Sequence, residues 1–202
     1  METNTVAIDL IEDSLTLHMA ALDSLRHNIH AVVESSKTIV DCLKKGGKVI
    51  ACGNGGSASD AQHFVAELVG RFVSDRPPLA AVALTTDTSI LTAVANDYSF
   101  EEIFSRQVEG LCRHGDVLVA ISTSGRSKNI INAMSSAKKR GGIVILVSGK
   151  DGGDAKPLAD ISIIIESYNT AAIQEMHIMV FHMICGIIDE QYGKFILNSN
   201  NG

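Results

Sequence analysis

Two turns rich in glycine and hydroxyls hold the residues best suited to chemistry. Cys52-Gly53-Asn54-Gly55-Gly56-Ser57 follows an apolar run at 48–51, and Ser122-Thr123-Ser124-Gly125 follows another at 116–121; each leads into a helical pattern. Turns of this kind gather backbone N–H groups and hydroxyls at the positive end of a helix, an environment for an anion and above all a phosphate. A helix N-cap needs one Ser or Thr. Ser122, Thr123, Ser124 and Ser127 offer four hydroxyls in six residues, which reads as a phosphate cradle. Two such turns in one small domain predict a phosphorylated ligand gripped from two sides.

The first turn and Ala58 also satisfy the dinucleotide pattern G-x-G-x-x-G/A. That pattern needs an acidic residue closing the second strand about twenty positions on. Asp75 has the spacing but falls in the loop Ser74-Asp75-Arg76-Pro77-Pro78, and Asp87 comes too late, so a nicotinamide or flavin is not expected.

His63 and Glu67 stand at i, i+4 on the helical stretch that rises from the first turn, and therefore share a face. On the bare sequence this is either a surface pair or part of a site. Gln174 and His182 lie eight residues apart on a later helix, about 12 Å of rise and broadly one side. Brought together, two imidazoles, a carboxylate and an amide carbonyl would make a zinc set, and without metal the same groups would serve as an acid/base pair. His177 reads as a satisfied core histidine, and Asn96-Asp97 as a helix stop with a cap for the next helix.

The elements that must position these groups alternate. Apolar or β-branched runs at 48–52, 80–84, 116–121, 142–148 and 160–165 are separated by helical stretches at 57–73, 89–95 with 100–112, and 127–140. Continuous apolar strands between helices predict a parallel sheet covered on both faces, a doubly wound α/β domain with strand order 2-1-3-4-5. Both turns then follow neighbouring strands where the winding reverses, the place such sheets bind ligands. Residues 1–45 form a helical segment, with Ile8, Leu15, Leu22 and Ile29 repeating every seven residues, Ile11, Leu25 and Val32 in the second heptad position and His18 interrupting the seam. A stripe this regular predicts packing in an oligomer. The domain proper spans 46–192, its last helix (170–191) apolar on nearly every side and so buried all round. Residues 193–202 are expected to be disordered.

The 202 residues are 46% hydrophobic and 20% charged with net charge −6, ordinary for a globular domain. No basic run marks a nucleic-acid groove. Cys42, Cys52, Cys112 and Cys185 form no short-spaced set, so they read as reduced thiols of a cytoplasmic protein rather than a zinc finger or disulfide frame. The start shows no signal peptide, and the stretch 173–188 reads as too short and too polar to cross a membrane.

Together these residues resemble the sugar isomerase (SIS) domain family, and within it the bacterial phosphoheptose isomerases. The resemblance runs over about residues 8–190. It is carried by residues 52–57, by Asp60-Ala61-Gln62-His63-Phe64 and Glu67-Leu68-Val69-Gly70-Arg71, and by Ala95-Asn96-Asp97, Ile121-Ser122-Thr123-Ser124-Gly125 and Ile173-Gln174-Glu175-Met176-His177-Ile178. It implies an aldose–ketose isomerase that interconverts sedoheptulose 7-phosphate and D-glycero-D-manno-heptose 7-phosphate, opening the route to activated heptoses for lipopolysaccharide or other surface glycans. It implies Glu67 and His182 as the acid/base pair and Asn54, Gly55, Gly56, Ser57, Asn96 and Asp97 at the sugar, replacing the bland reading of that last pair. It also implies Ser122, Thr123, Ser124 and Ser127 at the phosphate, Gln174 in the substrate site, and zinc on His63, Glu67, Gln174 and His182. A homotetramer with helices at its centre is implied as well. Relatives often carry Arg where this chain has Ala172. The rival is a non-catalytic SIS scaffold that binds the bacterial replication initiator; such a scaffold resembles this chain around the glycine turn but lacks counterparts of Glu67 and His182.

Overall fold

A computed structural model describes residues 2–199, with side chains described over 4–192. Five strands, β1 (Val49–Gly53), β2 (Ala81–Ala83), β3 (Val117–Ser122), β4 (Ile143–Gly149) and β5 (Ile161–Ile165), form one sheet in the order β2-β1-β3-β4-β5. Every pairing is parallel. This is the expected doubly wound architecture. Strands β1 and β3 are buried along their whole length, so both faces of the sheet are covered and the runs carry no polar alternation.

Helices α1 (Glu2–Arg26), α2 (Ile29–Lys44), α3 (Gly56–Val69), α4 (Thr88–Asp97), α5 (Ser105–Leu111), α6 (Lys128–Lys139) and α7 (Thr170–Ser199) surround it, with two 3-10 turns at Phe100–Glu102 and Gly153–Leu158. One core layer joins α1, α2, α3 and α7 to Val49, Ala51, Val119 and Val147 on one sheet face. The other joins α5 and α6 to Ile50, Leu118, Ala120 and Leu146 on the opposite face. Successive strand residues thus supply the two layers in alternation.

The amino-terminal segment is two helices, not one. Asn28 sits in the break and donates from Nδ2 to the Ile164 carbonyl at 2.8 Å, while its Oδ1 accepts the Ile164 N–H at 3.0 Å. The side-chain amide imitates a neighbouring strand along exposed edge β5, and Ser24 Oγ accepts the Glu166 N–H at 2.7 Å beside it. The heptad seam therefore divides. Leu25 and Val32 are core, while Ile8, Ile11 and Leu15 are 58%, 60% and 54% exposed. His18, the odd member of the seam, meets Glu175 of α7 at 2.7 Å.

Helix α7 runs to Ser199, beyond the end expected at 191; the first seven residues of the expected disordered tail are helical, and 200–202 lie outside the described residues. The stretch Thr170–Tyr192 is long and apolar enough to cross a membrane by length and composition, contrary to the sequence reading, but half of it is buried inside this fold. Its apolarity answers to the core it fills. His177 is buried in the core on it, as expected; burial pushes its pKa down to about 4, partly offset by the Ser148 backbone. The four cysteines are free and buried, and burial pushes Cys52 up to about 12, which makes it a packing residue rather than a nucleophile.

Candidate active site

In the sheet register Gly53 of β1 lies opposite Ile121 of β3, so the two turns leave the sheet side by side where the winding reverses. A side chain at Gly53 would collide with the Ser57 backbone, and Gly55 has φ +56°, which is why this turn is written in glycine. Gly125 has φ +64°, and a Cβ there would collide with the Gly152 carbonyl; the second turn is pressed against the loop after β4. Ser122 Oγ accepts the Gly125 N–H at 3.1 Å and closes the turn.

A small cavity of about 60 Å3 lies between the turns, lined by Asn54, Ser57, Ser122, Thr123, Ser127 and Gln174 among others. These are residues the sequence analysis placed at the phosphate or the sugar. Ser127 stands at the N-cap position of α6, yet its hydroxyl makes no cap bond; it faces Ser122 Oγ at 3.5 Å. Ser124 does not line the cavity, and its Oγ instead accepts the Arg126 N–H at 3.2 Å. Asn54 and Asn129 exchange two amide hydrogen bonds of 2.9 and 2.8 Å, which lock the first turn to α6. Asn129 is 2% exposed and escaped sequence reasoning; its one signal is an amide two residues into the helix that leaves the second turn.

The amide of Gln174 rests against Gly56, in the space a Cβ would fill. Gly55 lines a separate apolar cleft of about 330 Å3 with Leu91, Ala95, Phe100 and Phe104. Asn96 and Asp97 line neither cavity; the Asn96 amide donates to Asp97 Oδ1 at 2.8 Å on the exposed end of α4. Ala172 is buried against the core, its N–H held by Asn169 Oδ1 at 3.0 Å.

The titratable groups collect farther along the same seam. Helices α3 and α7 both leave carboxyl ends of parallel strands and therefore run side by side in one direction. Gly56 meets Gln174 at their starts. Two turns on, His63 Nε2 lies 3.0 Å from His182 Nε2 and 3.4 Å from Glu67 Oε1. One ligand atom from each of His63, Glu67 and His182 falls within 4.8 Å of the others, the residues being exposed or half-buried. Gln174, the fourth residue of the expected zinc set, is at the hydroxyl end, about 12 Å of helix rise from His182.

Asp60 sits one turn before His63, 6% exposed, with Oδ2 lacking a hydrogen-bond partner. Burial pushes its pKa up to about 6, partly offset by His63. At the far end of the seam Arg76 and Asp189 form an ion pair of 2.8 Å, with side chains 3% and 4% exposed. Neither was visible in the sequence, because 113 residues separate them and no motif links them.

Residues 12–149 match the SIS domain family. The chain is 49% identical to the phosphoheptose isomerase of a Nitratiruptor species, over 92% of this chain and 100% of that one. It is 46% identical to the phosphoheptose isomerase of Helicobacter pylori, over 91% and 96% of the two chains. Among solved structures, a phosphoheptose isomerase from Francisella tularensis superposes with TM-score 0.88 at 39% identity, covering 91% of this chain and 98% of that one. The phosphoheptose isomerase from Neisseria gonorrhoeae superposes with TM-score 0.84 at 43% identity, covering 94% and 100%. With one sheet topology, one hydroxyl cavity and near-half identity from end to end, this chain belongs to the phosphoheptose isomerases of the SIS domain family.

Proposed function

We propose that the chain interconverts D-sedoheptulose 7-phosphate and D-glycero-D-manno-heptose 7-phosphate by proton transfer through an enediol, the first step of activated-heptose synthesis in the cytoplasm. The observation that carries this reading is the meeting of Glu67 and His182 beside His63, two turns along the seam from the hydroxyl cavity. The phosphate is held by Ser57, Ser122, Thr123 and Ser127 at the starts of α3 and α6, where the positive ends of the two helices favour an anion. The sugar runs from there toward the carboxylate and imidazole, with Asn54 and Gln174 at its phosphate end.

Isomerisation moves one proton between adjacent carbons and one between their oxygens. Glu67 takes the C1 proton of the ketose, and the C1–H electrons form the C1=C2 bond. His182 gives a proton to the C2 oxygen as that carbonyl opens. The enediol collapses when His182 takes the O1 proton, the C1 carbonyl forms, and Glu67 returns its proton to C2. Both groups end as they began, and no electron acceptor is required.

Two imidazole nitrogens and a carboxylate oxygen form a donor set suited to Zn2+. Ligands at zinc distances sit about 3.3 Å apart in a tetrahedral site, close to the 3.0 and 3.4 Å separations of His63 from its two neighbours. His63, Glu67 and His182 would hold the ion, which when bound supplies Lewis-acid polarisation of the substrate carbonyl. The exposed Ile8, Ile11 and Leu15 of α1, with Met179 and Met183 of α7, give a surface for other copies of the chain in a homotetramer. A scaffold that binds the replication initiator would have no use for a carboxylate clustered with two imidazoles, and this favours the enzyme.

The test is an isomerase assay on D-sedoheptulose 7-phosphate, before and after chelation. Turnover supports the reading, and loss on chelation with recovery on added zinc supports the metal. No turnover in any of these conditions transfers the case to the scaffold.

A further inference from the structure

We infer that the segment 71–76, between α3 and β2, is a clasp that positions His182, with Phe72 as the positioning residue and the Arg76–Asp189 pair as its anchor. The inference rests on the functional reading above for its kinetic consequence, not for its geometry.

The Phe72 ring lies on the face of the His182 imidazole, centroids 5.4 Å apart and planes 20° apart. The His63 ring meets the same imidazole edge-on, with centroids 5.2 Å apart and planes at 64°. His182 is thus held between a stacked phenyl and an edge-on imidazole, and rotating its ring away from Glu67 breaks the stack. Gly186, one turn after His182, offers no side chain, and Phe72 Cε1 lies 3.8 Å from where a Cβ would stand. The ring therefore packs along α7 at an ordinary contact distance.

The clasp is fixed at a single carboxylate. Asp189 is two turns beyond His182 on α7. Its Oδ2 accepts the N–H groups of Val73 and Ser74 at 3.1 and 2.9 Å, and its Oδ1 accepts Arg76 Nε at 2.8 Å. Arg76 also donates to the Glu67 carbonyl at 2.7 Å and the Leu68 carbonyl at 2.9 Å, closing the carboxyl end of α3. One buried ion pair therefore ties the helix of Glu67 to the helix of His182, and holds the two residues after Phe72 against α7.

The experiment uses the full-length protein with 13C-labelled histidine, the His182 ring signals being assigned by their loss in His182→Gln. In the wild type these signals carry the ring-current shift of Phe72. Phe72→Leu keeps an apolar side chain at a half-buried position, so it folds, and it should abolish that shift; Phe72→Tyr should preserve it, and Asp189→Asn, where it folds, should reduce it. With D-sedoheptulose 7-phosphate, Phe72→Leu should lower kcat by about tenfold or more while KM stays within about twofold, and Phe72→Tyr should restore kcat. An unmoved His182 signal in Phe72→Leu overturns the inference. So does a Phe72→Leu enzyme that melts earlier but turns over at the wild-type rate. Absence of turnover in the wild type would fall on the functional reading, and the histidine signals would still decide the clasp.

Discussion

Phe64 of α3 and Phe181 of α7 stack with ring centroids 4.8 Å apart and planes 28° apart, and each is the sequence neighbour of a site histidine, His63 or His182. Both phenyl rings are fully buried. The polar cluster therefore stands on an apolar pair that fixes the separation of the two helices. Phe64→Ala should cost about 3–5 kcal/mol of unfolding free energy. Phe181→Leu keeps most of the volume and loses the stack, so about 1 kcal/mol is expected. Urea unfolding at fixed protomer concentration measures both. A loss well under 1 kcal/mol for Phe64→Ala would show that the helices are held apart by something else.

Glu67→Gln keeps the shape of the side chain and removes the base. Its Oε1 lies 3.4 Å from His63 Nε2 and away from the hydroxyl cavity. The expected result is a fall in kcat of about 10²–10⁴, with KM little changed because the phosphate contacts stay intact. Steady-state kinetics on D-sedoheptulose 7-phosphate decides it, and near-normal turnover would take Glu67 out of the chemistry.

The parts of this molecule that could be read from the chain are those set by local pattern. Strand runs such as Val117 to Ser122 announce themselves because both sheet faces are covered. The two turns announce themselves because Gly53 and Gly125 stand where a Cβ would strike backbone. The i, i+4 spacing put His63 and Glu67 on one face, and the structure adds His182 to them. What stayed hidden depends on partners far along the chain. The break at Asn28 exists because edge strand β5 needs a partner at Ile164. The clasp at Asp189 joins residues more than a hundred positions apart. Ser124 reads as one more phosphate hydroxyl, and what local pattern could not show is that its oxygen also accepts the Arg126 N–H.

Ser127 separates binding from folding. It stands where a helix cap would, but its hydroxyl makes no cap bond and faces the cavity. Ser127→Ala should leave the melting temperature unchanged. If the hydroxyl donates to the substrate phosphate, its loss removes about 1.5–3 kcal/mol, or about a tenfold to hundredfold rise in KM. An unchanged KM would place the phosphate elsewhere.

Gly125→Ala probes the second turn. Its φ of +64° is one L side chains rarely adopt, and the added methyl would strike the Gly152 carbonyl. Strain and overpacking together should cost about 2–5 kcal/mol. The substitution should also displace Ser122, whose hydroxyl is tied to the Gly125 N–H, so phosphate affinity falls with stability. Thermal unfolding with inorganic phosphate measures both: the ligand-induced rise in melting temperature seen in the wild type should shrink in the variant. A fully stable Gly125→Ala protein would mean that the loop after β4 yields freely.

Asp60 gives stability a pH dependence whose sign can be worked out. Burial raises the folded pKa to about 6 from the ordinary value of 3.8, against the opposing pull of His63. The folded state therefore binds this proton more tightly than the unfolded chain. The stability it lends is complete below about pH 4 and is lost as pH rises through about 6, after which the deficit is constant. A shift of this size is worth at most about 3 kcal/mol, and partial solvent screening brings the expected value to about 1–2 kcal/mol. Asp60→Asn keeps the shape of the neutral acid and cannot ionise. The variant should melt above the wild type near pH 7.5, and the two curves should converge near pH 4, where the wild-type carboxyl is already protonated. Parallel melting curves across that interval would mean that Asp60 keeps an ordinary carboxylate pKa, and that its unpartnered oxygen finds water in solution.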